Sequence, residues 1–231
     1  MDKKVSISPQ LKWYRANKPK AMEKTVSIVI PTYNRPQFLP SAIGAALSQT
    51  IECEVIVVND GGDKPTDIPE EVRFFDRPHE GAAKATNFGI QQATGDLIFN
   101  LDDDDLLMPF AMEHLRNEIG DYDVIFSDLL LYPSMDRFPQ GFTNYEDLIE
   151  NNTMPGVLMT TREAALKVPF PDLATGWDRE RNLQFCEAGL KIKHLPEFLY
   201  LYRDHSGQIQ KTKAEEQTKN NEESKRKRQD G

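Results

Sequence analysis

At 231 residues, 39% hydrophobic and 28% charged, the chain predicts one α/β domain, or one domain with a small appendage. Its formal charge of −9 disfavours binding along duplex nucleic acid, whose phosphates require a basic face. Its two cysteines, Cys53 and Cys186, are too few for a disulfide framework or a zinc cluster and fit buried thiols in a reducing compartment.

Residues 1–24 are polar and basic, with Trp13 and Tyr14 as the large aromatics, and predict an arm packed through those rings. The segment MDKKVSISPQLKWYRANKPK has no apolar core of signal-peptide length, and no stretch approaches the ~20 apolar residues of a membrane span. The expectation is a cytoplasmic protein without an integral membrane segment.

From residue 25 strand and helix signals alternate. Val26–Ile30 is a β-branched run stopped by Pro31, and Phe38–Ser48 carries Leu39, Ile43, Ala46 and Leu47 at helical spacing. Glu54–Val58 predicts a second strand, ended by the turn Asn59-Asp60-Gly61-Gly62, and Val72–Phe75 a third. Gly81–Ala93 predicts a helix closed at Thr94-Gly95. Leu97–Leu101 is a strand that runs into aspartates, Pro109–Glu118 a helix and Val124–Phe126 a strand. This rhythm predicts a mostly parallel sheet with helices on both faces. Ligands of such sheets bind beyond the carboxyl ends of the strands. Pro31-Thr32-Tyr33-Asn34, Asn59-Asp60-Gly61 and Asp102 to Asp105 all stand there. Residues 211–231 hold one alanine and no other apolar side chain. They predict a disordered, solvated tail, whose KRKR at 225–228 could alternatively touch an acidic surface.

NLDDDDLLMP sets four carboxylates on one short turn. Like charges this close repel and demand a counter-charge. A hard divalent cation, Mg²⁺ or Mn²⁺, suits carboxylate oxygens and leaves positions for phosphate. The competing reading is a solvated acidic loop, with Asp105 capping the helix that Pro109 continues. A cap accounts for one aspartate of the cluster.

Four segments taken in order, VSIVIPTYNRPQFLPSAIGAALSQT, EVIVVNDGG, EGAAKATNFGIQQATGDLIFNLDDDDLLMP and GWDRERNLQFCEAGLKIKHLPEFLYLYRDH, resemble the family 2 glycosyltransferases of the GT-A fold. The resemblance runs from about Val26 to His205. It implies a domain over 25–210, with a nucleotide-sugar half at 25–130 and an acceptor half at 131–210. It also implies inverting transfer from a nucleoside-diphosphate sugar to an acceptor hydroxyl, aided by Mn²⁺ or Mg²⁺.

Role by role, the resemblance places Pro31, Thr32, Tyr33, Asn34 and Arg35 against the nucleotide, and Asp60 against its base. A carboxylate accepts the ring N–H of uracil or thymine, which adenine lacks, so a UDP- or dTDP-sugar is favoured. Asn59 and Gly62 depart from the family's usual Asp-Asp-Gly-Ser. Asn87 falls on the asparagine of an Ala-Arg-Asn motif, but Thr86 stands where arginine is common, so Lys84 or Arg35 would neutralise phosphate. The Asp-x-Asp pattern maps onto Asp102, Asp103 and Asp104. Asp104 is the first metal ligand, Asp102 or Asp103 lies nearer the ribose, Asp102 also serves as a possible ligand, and Asp105 is structural. His205 would complete the metal shell or contact a phosphate.

Counting back from Glu187-Ala188-Gly189-Leu190-Lys191-Ile192, the catalytic base falls on Asp178, with Trp177 where the family has glutamate. The competing reading has Asp178 merely capping the helix Arg179–Ala188, and Glu180 is the reserve base. His79, His114 and His194 receive no role. A nucleotidyltransferase would want a glycine-rich basic loop after the first strand, which Pro31-Thr32-Tyr33-Asn34-Arg35 is not. A non-catalytic sugar-nucleotide binding module is the other alternative. Residues 135–176 carry no readable motif, so glycan, lipid-linked sugar, protein and modified nucleic acid all stay open as acceptors.

Overall fold

The computed structural model describes residues 8–17, 24–138, 141, 144–206, 208 and 214–229. Helix α1 (Pro9–Asn17) precedes β1 (Val26–Thr32), α2 (Leu39–Leu47), β2 (Cys53–Asn59), β3 (Val72–Asp76), α3 (Ala82–Gln92) and β4 (Leu97–Asn100). Then follow β5 (Leu106–Leu107), α4 (Ala111–Glu118), β6 (Val124–Tyr132), β7 (Asp136–Phe138), α5 (Tyr145–Asn151) and β8 (Met159–Thr161). The chain continues through α6 (Arg162–Lys167), α7 (Trp177–Glu187), β9 (Ile192–Arg203) and α8 (Ala214–Gln229).

The strands form one sheet in the order β3-β2-β1-β4-β8-β6-β9-β5, with β7 on the side of β6. Strands β3, β2, β1 and β4 are parallel, as strand–helix alternation requires. Strand β8 runs antiparallel to β4 and to β6, while β6 and β9 are parallel. The sheet is therefore mixed but mostly parallel. Its central strands are buried on both faces, so they read as continuous β-branched runs. Ile28 and Ile30 of β1 join the core under α2 and α4, while Val29 joins Ile56, Val58 and Ile90 under α3. A Cβ on Gly89 would lie 2.4 Å from Val29 Cγ1, so α3 sits as low on the sheet as a bare backbone allows.

Several boundaries differ from the sequence expectation. Strand β1 continues through Pro31, because its ladder with β4 stops at Val29 and the missing N–H lies at the sheet margin. Strand β6 extends beyond Phe126 to Tyr132, with a register shift around Asp128 opposite the Pro196-Glu197 stretch of β9. The arm is anchored through Arg15, whose guanidinium donates to the carbonyls of Leu47 and Gln49 at the end of α2. Trp13 is 68% exposed, and the Tyr14 side chain lies outside the described residues.

The expected disordered tail is helical over Ala214–Gln229. Polar contacts to the rest of the fold replace the apolar burial whose lack suggested disorder. Residues 211–213, 230 and 231 lie outside the described residues.

Candidate active site

The carboxyl ends of β1, β2 and β4 open into a cleft of about 730 Å³. Pro31, Thr32, Tyr33, Arg35 and Asp60, which the sequence places at a nucleotide, line this cleft. Asp60 is 3% exposed, and its Oδ1 and Oδ2 accept the backbone N–H groups of Glu80 and Gly81 at 2.8 and 2.9 Å. Its Oδ2 also lies 2.9 Å from Nδ1 of His79, whose ring stacks on Tyr33 at 4.2 Å. His79 thus stands inside the site, although its sequence context carried no signal.

Three of the expected nucleotide contacts have other work. Asn34, at φ 51, holds the turn: its Oδ1 accepts the N–H of Asp63 at 2.8 Å and rests against Gly62. Asn87 uses both ends of its amide on the backbone of Phe170, each at 2.8 Å, and so ties α3 to the loop after α6. Lys84 pairs with Asp172 at 3.1 Å. Lys84 and Asn87 border a smaller pocket of about 240 Å³ beside Asp60 rather than the main cleft.

The aspartates divide their tasks. Asp103 accepts from Thr32 Oγ1 at 2.6 Å and from Arg35 at 2.9 Å. Asp104 accepts from Arg35 at 2.6 Å and lies 3.0 Å from Nε2 of His205. Asp105 caps no helix, since the residue before α4 is Phe110. It accepts instead from the Tyr200 hydroxyl at 2.5 Å and the backbone N–H of Arg203 at 2.7 Å. Burial, together with the neighbouring carboxylates, pushes Asp102 well above the usual carboxylate range. Burial likewise raises Asp103 to about 6, and burial together with the Asp104 charge raises Asp105 to about 8. Arg35 is thus a counter-charge the chain supplies itself. Oxygens of Asp102, Asp104 and Asp105 lie within 4.8 Å of one another, an all-oxygen set that fits a hard divalent cation.

Across the cleft stands Asp178, the second residue of α7. The residue before the helix, Gly176, is in the left-handed region (φ 71) and offers no side-chain cap; the Asp178 carboxylate accepts the backbone N–H groups of Arg179 and of its own residue, so it also steadies the helix start. A Cβ on Gly156 would sit 2.9 Å from Asp178 Oδ2; this glycine makes the room in which the carboxylate packs. Burial raises the Asp178 carboxyl, the Asp178 charge in turn raises Asp102, and both side chains line the same cleft. Glu180 is engaged elsewhere, accepting from Arg228 and Ser224, and is held below its usual range despite burial. Trp177, Tyr202, Gln208 and Gln217 complete the wall around Asp178.

Comparison with known proteins places this arrangement in context. The family described as Glycosyl transferase family 2 matches residues 27–172. The chain is 34% identical over 203 residues to the uncharacterized glycosyltransferase YwdF of Bacillus subtilis (strain 168), covering 78% of this chain and 75% of that one. It is 27% identical over 224 residues to glycosyltransferase GlyG of Streptococcus pneumoniae serotype 4, covering 83% and 74%. Its 36% identity to the uncharacterized glycosyltransferase RT0329 of Rickettsia typhi extends over 109 residues, 43% of this chain and 34% of that protein. S. aureus TarS 1-349 in complex with UDP-GlcNAc superposes with a TM-score of 0.66 at 16% identity, covering 80% of this chain and 60% of that one. At that identity the likeness concerns the fold.

Proposed function

Because the chain belongs to glycosyl transferase family 2 and has the GT-A type fold, we propose that it transfers a sugar from a UDP- or dTDP-sugar to an acceptor hydroxyl with inversion. The observation that carries this reading is the pairing of two acidic groups across one cleft: Asp102 to Asp104 on the β4 side and Asp178 on α7. Inversion requires the acceptor to attack the anomeric carbon from the face opposite the leaving diphosphate. A base on one wall and a diphosphate site on the other meet that demand.

Asp178 takes the acceptor proton as the new C–O bond forms and the bond to the diphosphate breaks, with its electron pair passing to the phosphate oxygen. The raised affinity of this carboxyl for protons suits a general base better than an ordinary surface aspartate. Arg35 neutralises charge beside the diphosphate, and Asp60 accepts the ring N–H of the pyrimidine in place of His79. Asp104, with Asp102 and His205, would hold Mn²⁺ or Mg²⁺, which when bound supplies Lewis-acid neutralisation of the leaving group. Residues 25–130 form the donor half and 131–210 the acceptor half. Among the described residues no helix is long and apolar enough to cross a membrane.

Calorimetry against a panel of nucleoside diphosphates tests the donor and the cation together. A hydrogen bond to a charged acceptor is worth ~1.5–3 kcal/mol, which predicts at least about tenfold tighter binding of UDP or dTDP than of ADP, whose base lacks a ring N–H; GDP, whose guanine carries one, is the competing nucleotide in the panel. Mn²⁺ should strengthen that binding in the wild type and not in Asp104→Asn. Preference for GDP, or undiminished Mn²⁺ dependence in the variant, overturns the respective assignment.

A further inference from the structure

Helix α8 has almost no apolar side chains, yet it lies against the start of α7 through polar contacts on both sides of Asp178. Arg228, 12% exposed at its side chain, donates from Nη2 and Nη1 to the two oxygens of Glu180 at 2.8 and 3.1 Å, and from Nε to Glu187 at 2.6 Å. The Ser224 hydroxyl donates to Glu180 at 2.6 Å. One turn earlier, Asn220 Nδ2 reaches the carbonyl and hydroxyl oxygens of the fully buried Thr175 at 3.2 and 3.1 Å. Asn221 sits over Gly176, 3.1 Å from where a Cβ would stand. Further along α8, Gln217 enters the cleft wall that also contains Asp178.

We propose that α8 is a positioning element for sugar transfer: Arg228 and Asn220 hold the Thr175–Asp178 turn on which the base stands, and Gln217 completes the acceptor side of the cleft. The proposal rests on Asp178 being the base. The geometry favours positioning over general stabilisation, because the clamp grips Thr175 before Asp178 and both Arg179 and Glu180 after it. A bidentate pair fixes orientation as well as distance, which a single surface ion pair does not. Positioning also explains why Glu180 is held below its usual carboxylate range: it anchors the helix, and Asp178 is left to take the proton.

The test uses Trp177, the residue next to Asp178. The chain has two tryptophans, so Trp13→Phe leaves Trp177 as the sole tryptophan in the full-length protein. In that background, with excitation at the red edge where tyrosine does not absorb, Arg228→Ala should raise acrylamide quenching of Trp177 and leave UDP binding within about twofold. It should lower saturated Mn²⁺-dependent hydrolysis of UDP-GlcNAc, in which water takes the acceptor's place, by about tenfold to a hundredfold, the scale set by small misplacements of reacting groups. Arg228→Lys should recover part of that turnover, since it restores charge without the fork. Asn220→Ala should move quenching and turnover in the same direction. Wild-type quenching, or wild-type turnover, in Arg228→Ala overturns the proposal, as does a parallel loss of UDP affinity that marks general damage. Failure of the wild type to bind UDP strikes the donor reading instead, and quenching alone then decides whether Arg228 holds the turn.

Discussion

The charges in the cleft make predictions that single residues can test. Asp178→Asn keeps the shape of the side chain and removes its basicity. Turnover should fall by about 10²–10⁴-fold, the usual share of general base catalysis, while nucleotide and metal binding persist. The asparagine amide oxygen can still accept the backbone N–H groups that the carboxylate accepts at the start of α7, and it buries no charge, so thermal stability should hold or rise; near-wild-type turnover once an acceptor is known would falsify the assignment. Asp103 and Asp105 titrate near 6 and near 8, above the ordinary 3.8. A carboxyl with a raised folded-state pKa favours the fold while protonated, so its contribution is whole below the unfolded value and is lost as pH rises through the folded one. Between about pH 6 and about pH 8, where Asp105 still holds its proton in the fold and not in the unfolded chain, the metal-free protein should therefore lose melting temperature. Within that window Glu54, Asp96 and Glu180, all held low, stay ionised throughout. Mn²⁺ should restore more at the upper end, where it no longer competes with protons. A flat melting temperature across this window contradicts the shifts.

The elements show where packing decides what propensity leaves open. Gly89→Val would drive two methyls into Val29 from a Cβ position already 2.4 Å away. Either α3 lifts from the sheet or β1 shifts, at about 1–3 kcal/mol, readable as a lower denaturation midpoint with an unchanged slope. The strands β1 to β4 were legible because each is a short apolar run bounded by a turn, and the aspartates because charge at a strand end is conspicuous. Strand β9 was not, since Pro196 interrupts its pattern and its pairing with β6 depends on a bulge. Helix α8 was invisible for a different reason: its partners, Thr175, Glu180 and Glu187, are about forty or more positions away in the chain, and no local pattern encodes them. The same distance hid the engagement of Glu180, which the sequence left as a reserve base. The counter-charge of the aspartates was foreseen as a cation alone, because nothing local places Arg35 between Asp103 and Asp104.

At the scale of the whole molecule the cysteines report on the two halves. Cys53 begins β2 in the first half of the chain and Cys186 lies one residue before the end of α7 in the second. Burial pushes their thiols up to about 12 and about 11. Near pH 8 the thiolate fraction of each is about a thousandth or less, so thiolate-seeking reagents should label native protein at least a hundredfold slower than unfolded chain, within order of magnitude. Peptide mapping then times the opening around each cysteine separately, and fast native labelling at either half-buried site contradicts its raised thiol. Among the described residues the parallel strands β3-β2-β1-β4 are joined to the rest of the sheet by β8 alone, three residues that pair with β4 on one side and β6 on the other. As the chain leaves the ribosome, β1 to β4 can assemble from neighbours in sequence, but β4 then presents an unpaired edge. That edge stays open to foreign strands until Met159–Thr161 has been synthesised and closes it.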